Sequence, residues 1–155
     1  MHFYSLNIKM KSITLSRKNI ILFSIILFGI LSLITLSTHF YGNADIGDYM
    51  DSAKFFAGDY SAKIRSSHSY LYGFLHAPFV ALTGNFIFFK ISSLIFLFLI
   101  CLSVYYISNK NLKAYFLMLL SPVLWYMGPV VSPIQLSSLL FLWAYYFIKK
   151  YEETI

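Results

Sequence analysis

The fold class this sequence predicts is an all-α membrane protein, with about four transmembrane helices and an amphipathic helix in a long first outer loop. Of its 155 residues, 59% are hydrophobic and 12% are charged. A soluble domain carries about 25% charged residues. The apolar residues fall in long uncharged runs, and the cations flank those runs. That placement makes the net charge of +6 a topology signal rather than a nucleic-acid footprint.

Residues 1–18 are a basic leader with Lys9, Lys11, Arg17 and Lys18 and no acid, which predicts a cytoplasmic N-terminus. Residues 19–38 form the first expected span, with about 20 uncharged residues to cross roughly 30 Å of hydrocarbon. The run is too long for a signal-peptide core and no small-residue cleavage site follows, so it reads as a retained signal anchor. His39, Phe40 and Tyr41 resemble an interfacial aromatic belt.

Residues 39–84 form the outer loop. It holds Asp45, Asp48, Asp51 and Asp59, four of the six acids in the chain. Asp45 is placed to cap a helix over 46–57, Asp48 sits at the capping-box position, and Gly58 suits the stop. Tyr49, Ala53, Phe56 and Tyr60 line one face of that helix, and Asp48, Asp51 and Ser52 another. Such a helix lies on a membrane surface. Lys63 and Arg65 follow, then His68 and the aromatic stretch Tyr70–Phe79, in which Gly73 and Pro78 are expected to break the helix.

Residues 85–107 are the second span, with Lys90 near its outer end, where it can snorkel to the surface. Residues 108–113 are a basic inner turn with Lys110 and Lys113. Residues 114–129 are a third, short span containing Pro122. Residues 130–148 are a fourth, with Trp143, Tyr145 and Tyr146 as an inner aromatic belt and Lys149 and Lys150 in a cytoplasmic tail over 149–155. The charges predict a multi-pass integral membrane protein with both termini in the cytoplasm. Cys101 stands alone in an apolar run, so it reads as packing. The acids and histidines show no metal-ligand spacing. A transporter is disfavoured because no ionisable residue falls at mid-bilayer.

With these residues in view, the outer loop resembles that of the GT-C class of integral-membrane glycosyltransferases. The resemblance rests on Asp45 after the first span, then Ser52-Ala53, Phe55-Phe56, Gly58 and Tyr60, and later Tyr70, Tyr72, Gly73 and Pro78. Lys90 at the head of the second span and the later Ser-Pro hairpin extend it over about residues 15–150. The resemblance implies sugar transfer from a polyprenyl- or dolichyl-phosphate donor, of mannosyltransferase type, to a glycan, lipid or protein acceptor. It implies Asp45 as the base, with Asp48 as its competitor. Lys63, Arg65 and Lys90 would meet the donor phosphate, His76 or His68 would hydrogen-bond it, and Tyr70 and Tyr72 would line a groove for its lipid. A divalent cation is left open.

The chain departs from the family in two respects. Family members are several hundred residues long with many more spans, so it matches their N-terminal portion, and a fragment or a second polypeptide completing the fold is expected. Ser132 and Gln135 stand where many members carry a later outer acid. The alternative is a non-enzymatic four-span accessory protein whose acidic loop binds a partner or lipid headgroups.

Overall fold

The computed structural model describes residues 16–38, 46–64 and 70–153. They are all-helical, with no strand among the described residues. Seven helices follow in order: α1 (Arg17–Ser37), α2 (Ile46–Phe56), α3 (Tyr70–Thr83), α4 (Ile87–Ile107), α5 (Leu112–Leu119), α6 (Pro122–Met127) and α7 (Ile134–Glu152). Two of them, α1 and α4, are long and apolar enough to cross a membrane.

α1 starts where Ser16 accepts a hydrogen bond from the Asn19 N–H (3.3 Å). The hydroxyls of Ser24 and Ser32 bond back to the carbonyls of Ile20 and Phe28. These two hydroxyls are thus satisfied within the helix, as an apolar surrounding requires. α4 is the hub, packing on α1, α3, α5 and α7. Leu31 of α1, Leu94, Leu97, Ile100 and Cys101 of α4, Leu119 of α5 and Leu124 of α6 form one buried core. The cysteine packs there as a small apolar residue.

α4 ends by hydrogen bonding rather than by chain breaking. The Lys110 N–H bonds the Tyr105 carbonyl and the Asn109 N–H bonds that of Tyr106, the crossed pair of a Schellman stop. Asn109 and Lys110 take left-handed φ values of 58° and 61°.

Three expectations about helices differ from what is observed. Gly73 and Pro78 do not interrupt the aromatic stretch. Both lie inside the continuous helix α3, because α2 packs along it at the glycine. Residues 114–129 are two short helices instead of one. The chain turns at Leu120–Ser121, Pro122 opens α6 at the position where its missing N–H costs nothing, and the Trp125 indole bonds the Leu119 carbonyl (2.9 Å) across the break. The fourth apolar run continues as helix to Glu152, taking in Lys149 and Lys150.

The loop after α6 tucks against the C-terminal half of α1. A Cβ at Gly128 would lie 2.6 Å from the Leu31 side chain and 3.2 Å from the Thr35 hydroxyl. A larger residue there would push the loop off α1.

Candidate functional site

The C-terminal end of α1, α2, α3, the N-terminal half of α4 and the start of α7 meet in one polar-aromatic cluster. α2 runs over Ile46–Phe56, one residue short of the expected end. Gly58 closes it at φ 102°. The Gly58 N–H bonds the Phe55 carbonyl and the Asp59 N–H that of Lys54, so the glycine supplies the left-handed residue a Schellman stop needs.

α2 packs closely along α3. At the crossing, a Cβ on Gly73 would stand 2.6 Å from Ser52 Cβ, 3.1 Å from the Ser52 carbonyl carbon and 3.2 Å from the Ala53 nitrogen. The glycine is thus a contact between two helix backbones. This approach corrects the expected split of α2 into an apolar and a polar face. Asp48 and Ser52, expected to face water, are buried together with Tyr49, Met50 and Ala53. Tyr60, expected on the apolar face, lies past the helix and is exposed. Asp59 is exposed, and its carboxylate accepts hydrogen bonds from the Ser61 hydroxyl (2.6 Å) and N–H (3.1 Å), which hold its pKa below the usual value.

Beneath α2 lies an aromatic stack. Tyr49 meets Tyr72 edge to face at 5.4 Å, and the His76 ring stacks on Phe89 at 4.1 Å. His76 Nδ1 lies 2.7 Å from the Tyr72 carbonyl, which can only accept, so Nδ1 carries the proton. Nε2 lies 2.5 Å from the Ser92 hydroxyl and accepts from it when the ring is neutral. Burial lowers the His76 pKa, with the Tyr72 carbonyl opposing it. Burial also pushes the Tyr72 phenol up to about 12, against weaker effects of Ser93 and Ser92. Neither serine makes a hydrogen bond of good geometry with that phenol.

The sign of the His76 shift sets a pH dependence. The folded state binds the proton less tightly than an unfolded histidine does, so stability is full above the unfolded value near 6.5 and falls as the pH drops below it. Thermal midpoints measured from pH 7.5 to 5 should decline in the native chain. The decline should be shallower in His76→Gln, and parallel curves would remove His76 from the account.

Lys90 departs furthest from its expected place. Instead of reaching to the surface, it is 1% exposed. Its ammonium donates to the carbonyl of Thr35 (2.9 Å), to the carbonyl of Thr38 and to the Thr38 hydroxyl (3.3 Å). These groups sit at the C-terminal end of α1, where the last carbonyls lack helical partners and the helix dipole is negative. Lys90 therefore caps α1 from α4. On its other side Ser93 bonds the Phe89 and Val130 carbonyls. The Gln135 amide, from α7, bonds the carbonyls of Met127 and Val130 (3.0 and 2.9 Å). No sequence signal marked Ser93 or Thr35, since single hydroxyls in apolar runs look alike. Ser132 and Gln135, noted only as stand-ins for a later acid, are buried here.

Of the residues singled out from sequence, Asp48, Tyr72, His76 and Lys90 are buried, and the rings of Tyr72 and His76 are in contact at 4.5 Å. Lys63 and Tyr70 are exposed. Tyr70 meets Phe56 edge to face at 6.5 Å. Asp45, Arg65 and His68 lie outside the described residues. The hydroxyls of Thr35, Ser52 and Tyr72 and the amide oxygen of Gln135 are buried with no hydrogen-bond partner among the described residues. Apart from these four residues, an apolar groove of about 320 Å³ runs between α2 and α3, walled by Phe56, Phe74, Leu75 and Pro78. Among the described residues, no three acids, histidines or cysteines are placed to hold a metal ion. No protein-family model, curated protein or solved structure matches the chain.

Proposed function

We propose that the chain is the N-terminal part of a polyprenyl-phosphate-sugar-dependent membrane glycosyltransferase of the GT-C type. In this reading α1, α4, the α5–α6 pair and α7 cross the bilayer, the termini are cytoplasmic, and α2 and α3 lie at the outer face. The observation that carries it is the acidic helix α2, folded onto α3, which in turn packs on the apolar helix α4. α2 carries the buried Asp48 on the same helix as Ser52, whose buried hydroxyl has no hydrogen-bond partner among the described residues, at what this reading takes to be the membrane–water boundary. Asp45 immediately precedes α2 and is the base for the acceptor hydroxyl. Asp48 is buried and orients the helix start. The groove between α2 and α3 takes the donor's lipid, and Lys63 and Arg65 meet its phosphate.

The burial of Asp48 and the capping work of Lys90 favour a second reading, a membrane accessory protein whose polar cluster only holds helices together. Transfer of radiolabelled sugar from polyprenyl-phosphate donors, in membranes expressing the chain, separates the two. On the enzymatic reading Asp45→Asn lowers transfer by about 100-fold or more at equal expression, the effect of losing a general base. Transfer unchanged in Asp45→Asn removes Asp45 as the base, and no transfer above control membranes withdraws stand-alone catalysis, leaving an inactive part of an enzyme or the accessory protein.

A further inference from the structure

A second site lies at the opposite end of the helices from α2. There the start of α1, the end of α4 and the α4–α5 turn line an open cleft of about 560 Å³, within the range of ligand sites, about 300–1,000 Å³. Arg17, Lys110 and Lys113 line it with Ile20, Tyr105 and Leu112. All three cations are exposed. No carboxylate among the described residues lines the cleft. Glu153, just past the end of α7, is paired with Lys149 at 3.9 Å.

The backbone adds to the positive field. α1 and α5 both begin here, capped by Ser16 and Asn111, and helix starts favour anions. The end of α4, which would oppose them, has its carbonyls closed by the Ser108, Asn109 and Lys110 N–H groups. Lys110 holds a left-handed conformation that a lysine adopts only at a cost.

The cleft does not end in water. Tyr105 and Leu112 also wall an apolar groove of about 190 Å³ that continues along α1 and α4 past Ile21, Ile25 and Phe98. Ile21, Ile25 and Phe98 keep much of their surface uncovered. A cationic pocket opening onto an apolar channel fits an amphiphile with an anionic head. A soluble phosphate would leave the channel unused.

We propose that this is a binding site for an anionic membrane phospholipid, one whose phosphate has no compensating cation in its own headgroup. The phosphate sits among Arg17, Lys110 and Lys113, and one acyl chain lies in the α1–α4–α5 groove. Arg17 supplies the forked, bidentate donor, and the two lysines act as point charges. The site does not depend on the glycosyltransferase reading, since it uses other residues at the other end of the molecule.

The test titrates the full chain in neutral detergent with phosphatidylglycerol or phosphatidylcholine and counts retained lipid by native mass spectrometry. Phosphatidylglycerol should be retained about tenfold better than phosphatidylcholine. Each cation near a surface contributes about fivefold, so Lys110→Gly with Lys113→Gln should weaken retention about 25-fold. Glycine at 110 relieves the left-handed strain, which keeps this variant folded. Lys149→Gln with Lys150→Gln removes the same charge outside the cleft and should change retention less than about threefold. Ile25→Trp, at an exposed groove position, should weaken lipid retention through the chain alone. Equal retention of the two lipids, or equal losses in the two double variants, overturns the proposal. So does full displacement of phosphatidylglycerol by millimolar inorganic phosphate, which would make this a soluble-anion site.

Discussion

Lys90→Met should lower the apparent thermal midpoint of the purified chain by roughly 6–12 °C, which corresponds to a loss of about 3 kcal/mol in a chain of this size. Methionine keeps most of the buried volume and loses the donors. The Thr35 and Thr38 carbonyls, now served by the ammonium, would then face an apolar neighbour. Two terms oppose each other. Removing a buried cation recovers its desolvation cost. Leaving the Thr38 carbonyl without the ammonium, and the Thr35 carbonyl with the Thr38 hydroxyl (3.2 Å) as its remaining side-chain donor, costs about 1–3 kcal/mol for each weakened group. The second wins because α1 ends there and its last carbonyls have no helical partners. Lys90→Arg separates charge from fit. It keeps the donors, so it should retain stability better than methionine if capping is the role. Hydrogen exchange over residues 31–38 gives the local reading, with faster exchange expected in Lys90→Met. An unchanged midpoint and unchanged exchange in that variant would show that the ammonium is dispensable to α1.

The contrast between Lys90 and Gly58 explains what could be read from the sequence. Gly58 acts on the carbonyls a few residues before it, and its stop signal is local. The same holds for the apolar runs of α1 and α4, whose lengths alone mark them as candidate spans. Lys90 bonds residues 52 and 55 positions away. Nothing within one turn of it predicts that partner, so a lysine near the end of an apolar run reads as a surface anchor. His76 finds Ser92 sixteen positions on, from another helix. The candidate site was legible as a stretch of sequence. Which of its side chains are buried depends on how α2, α3 and α4 meet. Pro122 falls between the two cases. Its helix-breaking chemistry is local, but the residue that steadies the break, Trp125, was not marked by any spacing.

Gly73 carries the second large effect, and here too the distant contact overrides the local signal. Gly73→Val should lower stability by about 3 kcal/mol, and Gly73→Ala by about 1–2 kcal/mol. Helix propensity alone predicts the reverse sign, since alanine in a helix interior is favoured over glycine by about 1 kcal/mol. The added Cβ, however, would stand 2.6 Å from Ser52 Cβ and 3.1 Å from the Ser52 backbone carbon. The side-chain clash can be removed, but the backbone one can be relieved only by moving α2 away from α3. Overpacking of this kind costs about 1–3 kcal/mol, more than the propensity gain. The displacement would also uncover Asp48, Tyr49 and Ala53, which the crossing now buries. Ser52→Gly in the Gly73→Ala background removes the 2.6 Å contact and leaves the backbone contacts in place. It should therefore recover only part of the loss. Thermal midpoints of the three variants, with hydrogen exchange over α2, give the comparison. A Gly73→Ala chain more stable than the native one would mean that α2 and α3 do not cross at this glycine.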